Sequence, residues 1–395
     1  MNLVDLHTPP PPSSPDWGQS LASGAAGITL LHLEHVHTGT GQWNTARTWV
    51  RAMTQQKVTA NPDTAGLFHG APAIAFTLHS ARQPAYAQYL RTLDDHLTAI
   101  TVHRLHAAHD RIDRGLLPRL REFDLISGLT GLGAVLLHLN NQTDVLQDVL
   151  AYLVRLTEPL TANGEQLPGW WSSDGPTGLA SSDWPGGHAN LGIAHGISGP
   201  LALLATAHRH GVTVPGQTES IGYLLDWLDK WRVGAGRTAW WPGMISRAEY
   251  HAKATQVSEP QRPSWCYGTP GLARAQQLGA IALDDQARQR AAESALAGCV
   301  TDQRQLALLN DASLCHGWAG LVHVTRRAAA NAFDDSLSAL LQVLDAHLQT
   351  YLRLYGTPDE PGLLTGAAGV LLAQHASTTN AVPVTQWDAS LLLAG

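Results

Sequence analysis

The sequence predicts an all-α fold, an α/α toroid built as a double ring of about seven helical hairpins. Three observations predict it: an internal repeat, helical periodicity between the copies, and the scarcity of strand-like alternation. A small-residue tetrad, Gly-x-x-Gly followed by an apolar run, recurs seven times, beginning at Gly24, Gly70, Gly128, Gly196, Gly268, Gly317 and Gly366. The second copy is imperfect, with Ala73 in place of its last glycine. First glycines are 46, 58, 68, 72, 49 and 49 residues apart. A unit of about 48 residues accommodates two helices and two loops. Segments such as WNTARTWVRAM, TDVLQDVLAYLVRLT, IGYLLDWLDKW and DSLSALLQVLDAHLQTYLRLY lie between the tetrads. They carry apolar residues at i, i+3, i+4 and i+7, the signature of amphipathic helices.

Each element then has a reason. Residues 1–18, with the Pro/Ser-rich run Pro9–Pro15, read as a disordered N-terminal tail. Residues 19–395 read as one toroid domain. A first turn without Cβ atoms lets another backbone approach closely, so the tetrad-led helices belong inside the ring. Their N-termini, gathered round one centre, bring unpaired N–H groups together. The two longest spacings precede the fourth and fifth tetrads. They hold Trp- and Gly-rich segments near 168–192 and 233–264, which lack helical period. Insertions in a repeat protein map to loops. Their aromatics suit either a surface for an extended peptide or a plug over the end of the ring.

Composition narrows the function. Lys+Arg 25 against Asp+Glu 32 gives a net charge of −7, which argues against a nucleic-acid partner. No apolar run is long enough for a transmembrane segment. The N-terminus has neither the basic nor the apolar region of a signal peptide, so a cytoplasmic place is expected. Three cysteines cannot form a disulfide framework and in a reducing compartment suggest metal or catalysis. There is no Gly-rich phosphate loop and no nucleophile elbow.

The strongest chemical pattern is Cys266 together with Cys315 and His316. Both cysteines stand two places before a tetrad, in successive repeats 49 residues apart. Equivalent positions in adjacent repeats are neighbours in space, so two thiols and an imidazole converge at the mouth of the ring. Cys₂His is a catalytic zinc set with the fourth position left open. The competing reading is three buried core residues. His251 or His69 would be needed to close the set as a structural site. His195 shares the register of His316, and Asp124 lies four residues before its own tetrad, so both face the same cavity. A histidine beside a carboxylate and a metal-bound thiolate handles protons. Cys299 reads as core. His103, His106 and His109 read as a solvated helix face.

At these residues the chain resembles the lanthionine synthetase C-like proteins, the cyclases that close thioether rings in lantibiotic-type peptides. The motifs are the seven tetrads with FDLISG, NLGIAHG, RPSWCYG and LCHG, and they run from Gly24 to Ala373. The resemblance implies one Zn²⁺ per chain held by Cys266, Cys315 and His316. It carries His195 and Asp124 over as catalytic, and adds Arg262 and Tyr267 as active-site residues. The expected reaction is Michael-type addition of a peptide Cys thiolate to dehydroalanine or dehydrobutyrine. The expected partners are a dehydrated precursor peptide with its leader, a separate dehydratase and a transporter, which would bring the chain to a membrane-associated biosynthetic complex. No N-terminal region is long enough for a dehydratase, so a stand-alone cyclase is expected. Two other readings share the site: addition of a glutathione-type thiol, and a zinc-stabilised scaffold that only binds peptide. Some family members carry a small β insertion, and either insertion could supply one.

Overall fold

The computed structural model describes residues 6–394 except Ser13, Pro15 and Asn163. Seven inner helices span Ala25–His37, Ala71–Ser80, Leu129–Leu139, Ser198–Arg209, Thr269–Ala282, Trp318–Ala329 and Ala367–Thr379. Each packs on its two ring neighbours, and the last packs on the first, so the ring closes. In six of them the tetrad's first glycine is the residue capping the helix N-terminus; the fourth starts two residues later, at Ser198. The inner helices are buried nearly all round, mostly through small and apolar residues, with Glu34, Arg274, His323 and Arg327 buried among them.

The outer helices are Trp43–Met53, Ala87–Asp113, Thr143–Leu156, Gln217–Lys230, Gln286–Cys299 and Ser338–Tyr355. They bury one stripe. The first buries Ala46, Trp49, Val50 and Met53, spaced i, i+3, i+4 and i+7. Cys299, expected in the core, is buried at the end of the fifth.

Three details depart from the sequence reading. The seventh inner helix has no outer helical partner among the described residues. The chain after it turns inward, and a short 3₁₀ turn, Trp387–Leu391, fills the centre of the ring. The cause is composition: Trp387, Leu391, Leu392 and Leu393 are all apolar and all buried. Asp388 goes in with them. Burial alone would raise its carboxyl, but Arg327 and His323, 3.1 and 2.9 Å away, outweigh that and hold it below its ordinary value.

The second concerns residues 1–18, expected to be a disordered tail, of which Met1–Asp5, Ser13 and Pro15 lie outside the described residues and Thr8–Pro12 is mostly exposed. Leu6 is buried in the core, and its carbonyl accepts from the Trp49 indole at 3.0 Å and lies 2.7 Å from His32 Nε2. Trp17–Gln19 forms a 3₁₀ turn. A Pro-rich composition did not prevent docking, because one leucine and one carbonyl meet a prepared slot. Removing residues 1–14 is therefore expected to lower the melting temperature. Leu6→Ala should cost on the order of 2 kcal/mol, near the low end for a leucine at a core edge. Calorimetry of the two proteins checks both; a tail truncation that melts with the full chain would mean that the slot contributes nothing.

The third departure concerns the insertions. Strand His188–Asn190 from the first pairs antiparallel with Met244–Ser246 from the second, so both together supply a small sheet. A separate hairpin joins Leu160–Ala162 to Glu165–Leu167. Trp170, Trp171, Trp240 and Trp241 are buried. They pack the insertions onto the ring: Trp170 meets Tyr223 and Trp227 of the fourth outer helix edge-on, and the Trp241 indole donates to Leu228 O at 3.0 Å.

Candidate active site

The loops that enter the inner helices are laced together by backbone hydrogen bonds round one mouth of the ring. Leu125 N–H donates to Ala194 O at 3.1 Å, Ile193 N–H to Cys266 O at 3.1 Å, and Cys266 N–H to Cys315 O at 3.3 Å. Cys315 N–H continues to Leu364 O at 2.9 Å, and Leu364 N–H to Ala22 O at 3.0 Å. Ala22, Ala194, Cys266, Cys315 and Leu364 all stand two residues before their tetrads. Equal register in the sequence thus becomes adjacency on the rim, and it gathers Asp124, His195, Tyr267, Cys266, Cys315 and His316.

Close approach of these loops needs glycine at particular points. A Cβ on Gly271 would lie 1.9 Å from Trp265 O, and one on Gly192 would lie 2.5 Å from Cys266 O and 2.7 Å from the Tyr267 ring. No side chain fits either place.

Ligand atoms of Cys266, Cys315 and His316 all lie within 4.8 Å of one another. A tetrahedral metal with Zn–S and Zn–N bonds of about 2.0–2.3 Å sets its donors roughly 3.5 Å apart, so the set fits such an ion. The donor chemistry agrees. The Cys266 thiol is lowered below its ordinary value, first by a hydrogen bond from Cys315, then by His316 and Ser264, against the opposing effect of burial. Cys315 is pushed up by the same contact with Cys266 and by burial. Two thiols so close retain one proton between them unless a cation replaces it. Neither His251 nor His69 joins the group among the described residues. His251 instead faces Glu165 at 2.7 Å.

Asp124 and His195 meet directly, with Oδ2 2.6 Å from Nδ1. The Asp124 side chain is 2% exposed, and its other oxygen, Oδ1, accepts from Ser127 N–H at 2.7 Å and Gly128 N–H at 2.8 Å. The same slot, four residues before the tetrad, holds a capping serine in other repeats. Ser264 Oγ accepts from Tyr267 and Gly268, and Ser313 Oγ from His316. A serine's single oxygen is consumed by the cap. Aspartate keeps a second one, and that oxygen reaches His195. Because a carboxylate only accepts, the His195 proton sits on Nδ1 and leaves Nε2 free on a side chain that is 36% exposed.

Tyr267 links the two groups. It adjoins Cys266 in sequence, and its ring stacks beside His195 with centroids 6.3 Å apart. Burial, with nearby Cys266 and Asp124, pushes its hydroxyl up to about 12, so it stays a phenol and a proton donor. Asn190, from the first insertion's strand, donates to it at 3.4 Å. Arg262 lies on the same rim, with Nη1 3.4 Å from Asn310 Oδ1 and 3.9 Å from Asp311 Oδ2.

Sequence reasoning missed Asn190, Asp311 and Arg104. Arg104 sits on the helix read as a solvated face, where His103 and His106 are indeed exposed. Its guanidinium instead points inward. Nε donates to Pro62 O at 2.5 Å, Nη2 to Ala65 O at 2.8 Å, and Nη1 to Ser127 O in the Asp124 loop. A lone arginine among histidines gave no signal; only the loop it clamps reveals it.

The profile of the lanthionine synthetase C-like proteins matches residues 15–392. The nisin biosynthesis protein NisC of Lactococcus lactis subsp. lactis is 22% identical over 388 residues, covering 96% of this chain and 90% of the relative. The solved structure of a nisin cyclase superposes with a TM-score of 0.80 at 22% identity, over 96% of this chain and 93% of that one. At that identity, the superposition speaks for the toroid.

Proposed function

The chain belongs to the lanthionine synthetase C-like family, and from that premise we propose that it is a lanthipeptide cyclase. It closes lanthionine and methyllanthionine rings by adding a peptide cysteine to dehydroalanine or dehydrobutyrine in the same peptide. The observation that carries the reading is the shared rim, where a two-thiol, one-imidazole set stands beside an Asp124–His195 pair with Tyr267 linking them.

Cys266, Cys315 and His316 are the residues that would hold one zinc ion per chain; when bound, it lowers the pKa of a substrate thiol towards neutral pH. The remaining work falls to this chain's own side chains. His195 Nε2 accepts the thiol proton. The sulfur–carbon bond forms at the β-carbon, and the alkene's electron pair moves onto the carbonyl oxygen as an enolate. His195 then returns the same proton to the α-carbon, so nothing is gained or lost. Asp124 fixes the tautomer that makes this return possible. Arg262 and the Tyr267 phenol donate to the enolate oxygen, which carries the developing charge.

The partners in this reading are a dehydrated precursor peptide with its leader and a separate dehydratase that supplies it, with a transporter for the product. The reaction belongs in a reducing compartment, because substrate thiols must stay free; among the described residues no helix is long and apolar enough to cross a membrane. Incubation with a dehydrated peptide tests the proposal: free thiols should disappear while the peptide mass stays constant.

A further inference from the structure

Beside the metal-ligand set lies a carboxylate that neither the repeat register nor the family motifs single out. Asp311 precedes His316 by five residues. Its Oδ1 accepts from Ser313 N–H at 2.7 Å, which fixes the side chain in a turn. That leaves Oδ2, which lies 3.3 Å from His316 Nε2 and 3.9 Å from Arg262 Nη1. One oxygen therefore faces both the imidazole of the ligand set and the guanidinium proposed for the substrate. The loop that carries it is held from three sides. Trp318 N–H donates to Asp311 O at 3.1 Å, Tyr351 O–H donates to Asn310 O at 2.6 Å, and Arg262 donates to Asn310 Oδ1 at 3.4 Å.

We infer that Asp311 is a positioning residue that orients His316 towards the metal and Arg262 towards the substrate. The inference rests on the zinc reading above. A carboxylate can only accept, so the nitrogen facing it, Nε2, carries the proton, and Nδ1 is the nitrogen left to face the two thiols. Carboxylates behind a ligating histidine fix its tautomer and ring orientation and raise its basicity. Here the same oxygen also balances Arg262, so ligand and substrate groups are set by one side chain. Two thiolates alone would bind a metal but would not fix the third ligand's direction.

The test uses the full chain and zinc itself. Zinc affinity is read by competition with a chromophoric chelator, and cobalt(II) substitution reports the ligand geometry through its absorption bands. Asp311→Asn retains the oxygen that accepts from Ser313, so the turn should survive and the metal-free protein should melt as wild type does. Its zinc affinity should still fall about 10–100-fold, with altered cobalt bands, because an outer partner of a metal ligand carries about that much. Asp359→Ala is the control: Asp359 lines the same cleft without touching His316 or Arg262, and its zinc affinity should match wild type. Wild-type affinity and spectrum in Asp311→Asn would overturn the inference, as would equal losses in both variants, which would mean a general charge effect. A wild-type protein that takes up no zinc would sink the zinc reading instead, so the two failures are distinguishable.

Discussion

Replacing His195 with alanine is expected to slow cyclisation about 10²–10⁴-fold, the range of a lost acid–base group, with zinc content unchanged. Asp124→Asn should fall in the same range for a different reason. The asparagine oxygen can still accept from Ser127 and Gly128, so the loop and the helix start survive. Its amide nitrogen then points at His195 Nδ1 and donates to it. The imidazole proton is driven to Nε2, the atom that must accept the thiol proton. The geometry is kept and the tautomer is wrong, a change known to be severe where a histidine serves as base. Turnover of a dehydrated peptide, measured beside metal content for both variants, decides the matter. Near-native turnover in either would remove that residue from proton transfer.

Cys315→Ala should abolish stoichiometric zinc and bring cyclisation down to the uncatalysed rate. Losing one of three donors removes a thiolate and the template for a tetrahedral ion, and a weak two-donor site does not hold the metal at physiological levels. Cys266→Ala should behave alike. Cys299→Ala should keep its zinc, because that thiol is buried in an outer helix and raised by burial, away from the set. Elemental analysis of the purified proteins gives the answer. Full zinc in either Cys266→Ala or Cys315→Ala would refute the ligand assignment.

The ring was legible because its cause is local and repeated. Each tetrad tells where a helix begins, and a closed toroid is what seven such helices build when each is buried on most sides. The rim was legible through register: Cys266 and Cys315 occupy one repeat position, His195 and His316 another. What escaped had no register. Arg104 acts from an outer helix on a loop 23 residues further along the chain, and Asp311 acts from a turn whose partners lie 5 and 49 residues off in the chain. Leu6 escaped because proline-rich composition predicts an average, whereas docking depends on one side chain and one carbonyl. The inward turn at Trp387 was hidden for a similar reason, since a buried aspartate such as Asp388 makes sense only beside Arg327 and His323.

The central claim is that this chain joins a peptide's own sulfur to its own dehydro residue. The most direct measurement counts alkylatable cysteines and peptide mass before and after incubation with a dehydrated precursor peptide near neutral pH. Neutral pH matters because dehydroalanine reacts with thiolates unaided once thiols ionise, and a free thiol titrates near about 8.5. Cys315→Ala protein and buffer alone serve as controls. The account predicts fewer alkylated cysteines at constant mass with the wild-type chain, and slow background closure in both controls. A mass gain equal to an added thiol would mean an intermolecular addition enzyme. Equal closure by wild type, variant and buffer would contradict catalysis and leave a peptide-binding scaffold.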